Sequence, residues 1–416
     1  PMLAELLRTP DAPRVLFIGC TRNDNVDQRV LGPLLEVQRR FRQSHRVRRL
    51  VLRELGHDDA VDLARHFLEG TGREHIAPRI AELSRGHPLV ISHLTHALNW
   101  WSLKDVGATN LEDPRAVLEV AINHLSPPEQ ELLYVLAVCG QPVSGRLACQ
   151  AANLPGFPLE IISRLATDRW LVAAGAAAGD TIDLGNDVLR DTLLERLRGR
   201  PEASRAIHER LATAMRGFAA EHHATFDDEV LAYHFQQAGR SLEARRHYIK
   251  AAERATEALA FSHAASLYDK ALNSAWNESS DHQLREQRAE SLADAGRSED
   301  AAREYLSVAE TAEFPRCLEL RRKAVLQLVF SRNPQAGQDV LAQVLQGVGL
   351  HLPRAQRDVV VPLVALRLAS RVRGYEFRRR SPETLPPIDL AKIDACWTAV
   401  MGLTSLDLIR AWYFHK

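Results

Sequence analysis

AGRSLEARRHY at residues 238–248 and AGRSEDAAREY at residues 295–305 are two versions of one pattern, and FSHAASLYDKAL at 261–272 carries it between them. In each, a small residue sits one helical turn before a tyrosine: Ala244 with Tyr248, Ala264 with Tyr268, Ala301 with Tyr305. The alanine lets a neighbouring helix approach, and the ring fills the gap above it. Gly239 and Gly296 mark the turns between paired helices. Units that bury a face only against their neighbours build a helical-hairpin solenoid, and the uneven spacing makes these repeats degenerate. Later helix pairs are expected at 316–347 and 355–373.

Working upstream, RWLVAAGAAAGDTIDLG at 169–185 places two apolar runs around a Gly/Ala/Asp turn, which predicts a hairpin of strands at 170–174 and 181–185. Helices are expected before it at 115–124, 127–138, 143–152 and 158–168, and after it at 187–198. Helices followed by a small hairpin make a winged-helix pattern. Further upstream, Asp59 is placed to cap AVDLARHFL, and helices are expected at 75–84 and 88–100. RVLFIGCT at 14–21 reads as a buried strand of a parallel sheet, and RVRRLVL at 46–52 as a weaker strand.

With 416 residues the chain exceeds one hydrophobic core. It is 45% hydrophobic and 25% charged, and its 53 basic and 53 acidic side chains cancel. That balance fits a soluble cytoplasmic protein with no general pull toward nucleic acid or anionic membrane. Five scattered cysteines, Cys20, Cys139, Cys149, Cys317 and Cys396, form no CxxC pair and read as small buried hydrophobes. No signal peptide opens the sequence. The apolar run at 359–370 contains Pro362 and Arg367 and is too short to span a bilayer.

None of the six lysines follows a glycine, so the sequence contains no GK[ST] phosphate loop. HRD, DFG, HExxH and GxSxG motifs are also absent. Arg22 follows a strand end, where open α/β sheets bind ligands; it reads as a phosphate-sensing arginine or a solvated loop arginine. Gly86-His87-Pro88 reads locally as a helix C-cap followed by a first-turn proline. The arginine-rich stretch from Arg39 to Arg53 and the triplet Arg378, Arg379, Arg380 are better read as solvated surface than as a nucleic-acid patch. Of Trp100 and Trp101 at a helix end, at least one reads as core. The 17 histidines show no ligand spacing, and adjacent His222 and His223 would diverge on a helix.

In this order the segments resemble the STAND class of P-loop signalling ATPases, in the branch with C-terminal tetratricopeptide repeats. They are similar to the ATPase and repeat regions of large bacterial serine/threonine kinases. PRVLFIGCTRNDNVD resembles the fourth core strand with its sensor arginine, which the resemblance makes Arg22. LSRGHPLVISHLTHAL resembles the GxP segment of Gly86 and Pro88, whose proline, here Pro88, lies against the nucleotide base. LSPPEQELLYVLAVCGQPVS resembles the start of the winged helix, and LGNDVLRDTLLERL its closing segment. There the family's phosphate-sensing histidine is replaced by Asn186, while Asp187 and Arg190 remain. The resemblance implies a mainly α fold: the C-terminal remnant of an α/β P-loop core at 1–55, a helical lid at 56–113, a winged helix at 114–200 and a TPR-like α-solenoid at 201–416. MLAELLRTPDAPR resembles the helix after Walker B, so a start just past that motif is expected, with residues 1–55 poorly ordered for want of a central strand.

The resemblance implies ATP or ADP with Mg in an intact parent, and no cofactor or catalytic residue in this chain alone. The parent is expected to be an ATPase, with a kinase domain upstream as the family's further feature. This chain is expected to be its regulatory and sensing part, with a protein or peptide on the solenoid and the parent's upstream segments as partners. Two alternatives are an inert scaffold built on the solenoid and a transcription regulator whose winged helix reads DNA. The DNA-reading candidate, PLEIISRLATDRW, offers only Arg164 and Arg169 among apolar residues, so no nucleic-acid or membrane partner is expected.

Overall fold

The structure, a computed structural model, describes residues 50–97, 114–173, 181–222, 226–274, 278–331, 334–353, 357–374, 381, 385–404 and 406–415. The expected strand at 14–21, most of that at 46–52, Arg22, Cys20, Trp100, Trp101 and the triplet Arg378, Arg379, Arg380 lie outside the described residues. The chain divides into two units, Pro1–Val117 and Leu118–Lys416.

In the first unit, α1 (His57–Leu68), a 3-10 turn (Glu74–Ile76), α2 (Ala77–Ser84) and α3 (Pro88–Ala97) form a small helical cluster. Apolar residues at helical spacing, such as Ala60, Ala64 and Leu68 with Ile80, Ile91 and Leu94, fill its centre. Asp59 is not the cap of α1. The helix begins earlier, with Gly56 at its N-cap, and Asp58 and Asp59 sit in the first turn. There their charges complement the helix dipole. The end of the expected strand at 46–52 is also corrected: Leu50, Val51 and Leu52 form no strand and are exposed.

The second unit is mainly helical. α4 (Pro114–His124) leads to α5 (Pro127–Cys139), β1 (Val143–Ser144), α6 (Gly145–Ala151), α7 (Leu159–Thr167), β2 (Leu171–Ala173), β3 (Thr181–Leu184) and α8 (Asp187–Arg198). α5 is buried on every side from Leu132 to Cys139, as a helix apolar all round must be. Its first turn carries a capping box: the Ser126 N–H donates to Glu129 Oε2 at 2.8 Å, and the Ser126 hydroxyl donates to the same oxygen at 2.6 Å. The expected hairpin is present, with Leu171 opposite Leu184 and Ala173 opposite Ile182. It gains a third strand, because β1 pairs with β3 in the order β1-β3-β2. Residues 143–144, expected as the start of a helix, are therefore a strand; two residues are too few for a period to show.

The 22-residue α9 (Pro201–His222) opens a stacked helical array. The array continues as α10 (Asp228–Gln237), α11 (Ser241–Glu257), α12 (Phe261–Ser274), α13 (Glu278–Asp294), α14 (Ser298–Thr311), α15 (Arg316–Val329) and α16 (Pro334–Gly347), each packed on the one before. The three Ala–Tyr pairs are buried, the alanines completely. Gly239 and Gly296 adopt φ of 77° and 76° in the turns after α10 and α13, a region open to glycine at little cost.

The C-terminal end departs from expectation. Residues 357–373 are a single helix, α17 (Arg357–Arg373), and not part of a pair within 355–373. α18 (Pro387–Leu403) packs back on α15 and α16, while α17 packs on α19 (Leu408–His415). Arg322 of α15 fixes this return, donating to Thr398 Oγ1 at 2.9 Å and Asp394 Oδ2 at 2.6 Å on α18. Among the described residues no helix is long and apolar enough to cross a membrane.

Tyr305 is 3% exposed, and Tyr305→Ala would leave a cavity at the centre of the array. The substitution is expected to destabilise the array by about 3–5 kcal/mol in urea denaturation followed by circular dichroism. Leu242→Ala, at a position 59% exposed, is expected to change stability by no more than about 0.5 kcal/mol.

Candidate functional site

The residues singled out in the sequence fall at two described places. In the first unit, Arg85 (φ 47°) and Gly86 (φ 74°) end α2, and Pro88 opens α3 with its side chain exposed. Gly86 is buried where the chain passes closely: the Leu55 N–H donates to its carbonyl at 2.9 Å, and a Cβ there would lie 2.2 Å from the Leu55 oxygen. The segment therefore has the geometry of a helix stop followed by a proline start.

In the second unit, Asn186, Asp187 and Arg190 meet at the start of α8. Asn186 is the N-cap: its Oδ1 accepts from the Leu189 N–H at 2.8 Å. Asparagine is among the preferred residues for that task. Asp187 is exposed in the first turn. Arg190 is half-buried and donates to the Leu136 carbonyl at 3.0 Å and to Asp183 Oδ1 at 2.7 Å, tying α8 to the end of α5 and to β3.

Arg190 also stands in the wall of a cavity of about 520 Å³ that the sequence did not reveal. Its walls come from the end of α5 and the following turn, and from α8, α9, α10, α11 and α12. His208 of α9 and His234 of α10 face each other there, Nδ1 to Nδ1 at 2.9 Å, and are 7% and 1% exposed. Burial lowers the His208 pKa to about 4. Burial, helped by the neighbouring His208, lowers that of His234 to about 4 as well. Both rings are therefore neutral at pH 7, and one Nδ1–H donates to the other Nδ1. Tyr233 stands edge-on to His208, ring centroids 5.8 Å apart.

The charges around the cavity are compensated. Lys270 Nζ donates to Glu229 Oε1 at 2.8 Å and lies 5.7 Å from the centre of the Tyr248 ring. Burial alone would raise the Glu229 pKa, but Lys270 and His263 outweigh it and hold the carboxyl below its ordinary value. Asp227 caps α10 by accepting from the Glu229 N–H at 3.0 Å. Burial pushes the Cys139 thiol up to about 11, and that of Cys149 to about 11. Both are buried, as expected of them, whereas Cys317 and Cys396 are only partly buried.

A second hollow, an open groove of about 590 Å³, runs between α13, α14 and α15. Phe314, 49% exposed, offers an apolar edge, and Glu286 and Arg316 form an ion pair at its side. On α7, Arg164 is committed to Glu129 through an Nε–H bond of 2.7 Å, which removes one of the two basic groups that a DNA-reading helix would present. Among the described residues no cluster of three or more His, Cys, Asp or Glu side chains could hold a metal ion.

No protein-family model matches the chain, and no curated protein is significantly similar to it. Among solved structures it is similar to a STAND (signal transduction ATPase with numerous domains) protein with a tetratricopeptide repeat sensor from Pyrococcus horikoshii. The identity is 14%, the match covers 86% of this chain and 58% of that one, and the TM-score is 0.37. The chain thus spans less than two thirds of that protein's length, and the likeness is a distant one.

Because the folded state holds both histidines near pKa 4, against 6.5 for the ordinary side chain, the unfolded chain binds more protons between those values. The stability contributed by the neutral pair is complete above pH 6.5 and is lost as pH falls toward 4. Thermal unfolding across that window is expected to show a falling midpoint. The fall is expected to be smaller in the double variant His208→Gln, His234→Gln.

Proposed function

We propose that this chain is the regulatory and sensing region of a STAND-type signalling ATPase. In this reading residues 114–200 are the winged helix, and the array from α9 onward is a TPR-like solenoid that binds a protein or peptide partner. The observation that carries the proposal is continuity: the helix–strand part leads through α9 directly into the stacked array within a single unit. A binding event on the array therefore has a packed route back to α5 and α8. Such a switch needs a partner that favours one of two states. The family resemblance supplies the remainder: a nucleotide-binding core using ATP or ADP with Mg, in a parent of the bacterial serine/threonine kinase type.

The groove beside Phe314 is the proposed peptide surface. It combines an apolar edge with both signs of charge, as a recognition surface does. The sequence carries no phosphate loop, so nucleotide chemistry is assigned to other segments of the parent.

Calorimetry of the purified chain with ATP or ADP and Mg is expected to show no saturable binding at millimolar nucleotide. Micromolar binding would contradict this assignment. Peptides selected on the chain from a random library are expected to lose about tenfold or more in affinity to Phe314→Ala, as an anchor contact should. Unchanged affinity in that variant would remove the groove from the proposal.

A further inference from the structure

We infer that the groove beside Phe314 selects a peptide in which a lysine or arginine stands within two residues of a large apolar residue. The inference rests on the groove being the peptide surface proposed above, and adds the chemistry of its partner.

The charges of the groove are unequally committed. Glu286, Glu313 and Arg316 line it. Arg316 donates Nη1–H to Glu319 Oε2 at 2.6 Å and pairs through Nη2 with Glu286. Glu286 also accepts from Lys323 Nζ at 2.8 Å. A peptide carboxylate would have to displace one of these charge-assisted bonds to reach the guanidinium. Glu313 differs: it is exposed, and among the described residues its carboxylate has no partner. The charge that the groove leaves open is therefore negative.

The backbone reinforces that sign. Val308 and Thr311, in the last turn of α14, and Ala312, its C-cap, line the same groove. Ala312 is extended, with ψ of 142°, and its N–H makes no hydrogen bond back onto the helix. The Val308 carbonyl accepts from the Thr311 hydroxyl at 3.2 Å, so a side chain stands in for part of the missing cap. A helix C-terminus that lacks a backbone cap carries partial negative charge on its last carbonyls, and a cation is favoured beside it.

Phe314 follows Glu313 directly and supplies the apolar contact, its side chain 49% exposed, with Pro315 beside it in the wall. Because the acid and the ring are neighbours in the chain, the basic and apolar residues of the partner must be close together as well. Gln283, exposed on α13, also lines the groove, and its amide offers a donor and an acceptor to a peptide backbone.

The test selects a random heptapeptide library on the whole chain. The selected peptides are then measured by fluorescence anisotropy against the chain and the variants Glu313→Gln, Glu313→Lys and Phe314→Ala. Both positions are exposed, so the variants are expected to fold. Peptides that depend on Phe314 are expected to carry lysine or arginine within two residues of a large apolar residue. They are expected to lose about threefold in affinity to Glu313→Gln, and about tenfold or more to Glu313→Lys, where like charges meet. Replacing the peptide's basic residue by glutamine is expected to abolish the difference between the chain and Glu313→Gln. The inference is overturned if peptides that depend on Phe314 are not enriched in basic residues, are enriched in acidic ones, or bind Glu313→Lys as well as the unaltered chain. Any of these results leaves the groove a peptide surface. Selection of no peptide that depends on Phe314 would overturn the groove reading itself, and this inference with it.

Discussion

Arg210 is the side chain on which the second unit turns. It projects from the first half of α9, donates Nε–H to the Ala151 carbonyl at 2.8 Å, and pairs with Glu131. One guanidinium thus satisfies the open carbonyl end of α6 and a carboxylate of α5 together, a fork that a lysine could not reproduce. Because α9 also packs on α8 and α10, its placement decides where His208 meets His234 and whether α5 and the array share a wall.

Along the array the same economy recurs. The Ala–Tyr pairs set how closely successive helices approach. Committed ion pairs then set register, since a one-turn slip would strand a buried charge. Arg245 of α11 meets Asp281 of α13 with both side chains nearly buried. Glu286 of α13 takes both Arg316 and Lys323 of α15, skipping α14. Burial works against the Lys323 charge, but Glu286 and Glu290 outweigh it and raise its pKa. These links span two helices each, so the array is stiffer than nearest-neighbour stacking alone would make it.

Local features were legible in the sequence, and long-range ones were not. The Ala-x-x-x-Tyr pairs, the hairpin, the turns at Gly239 and Gly296, and α5 and α8 follow from period, caps and turn chemistry. What escaped depends on pairing across the chain. β1 is two residues long and exists because β3 accepts it. α18 reaches α15 through Arg322 and Asp394, far apart in sequence. His208 and His234 belong to different helices, and no spacing rule joins them. The sequence signal nearest to the site is Arg190, expected in a nucleotide role and tied to Leu136 and Asp183 at the cavity edge. Asn186, read as a substituted sensor, holds a helix start. Gly86 is placed where Leu55 leaves room for no side chain.

Hydrogen exchange by mass spectrometry on Arg210→Ala tests the central claim, that α9 joins the helix–strand part and the array into one mechanical unit. The account predicts faster exchange in α5 and α6 and in α9 and α10 together, with the distal helices α15 and α16 unchanged. Faster exchange confined to the turn of α9 around the substitution, with α6 and α10 as protected as before, would contradict it.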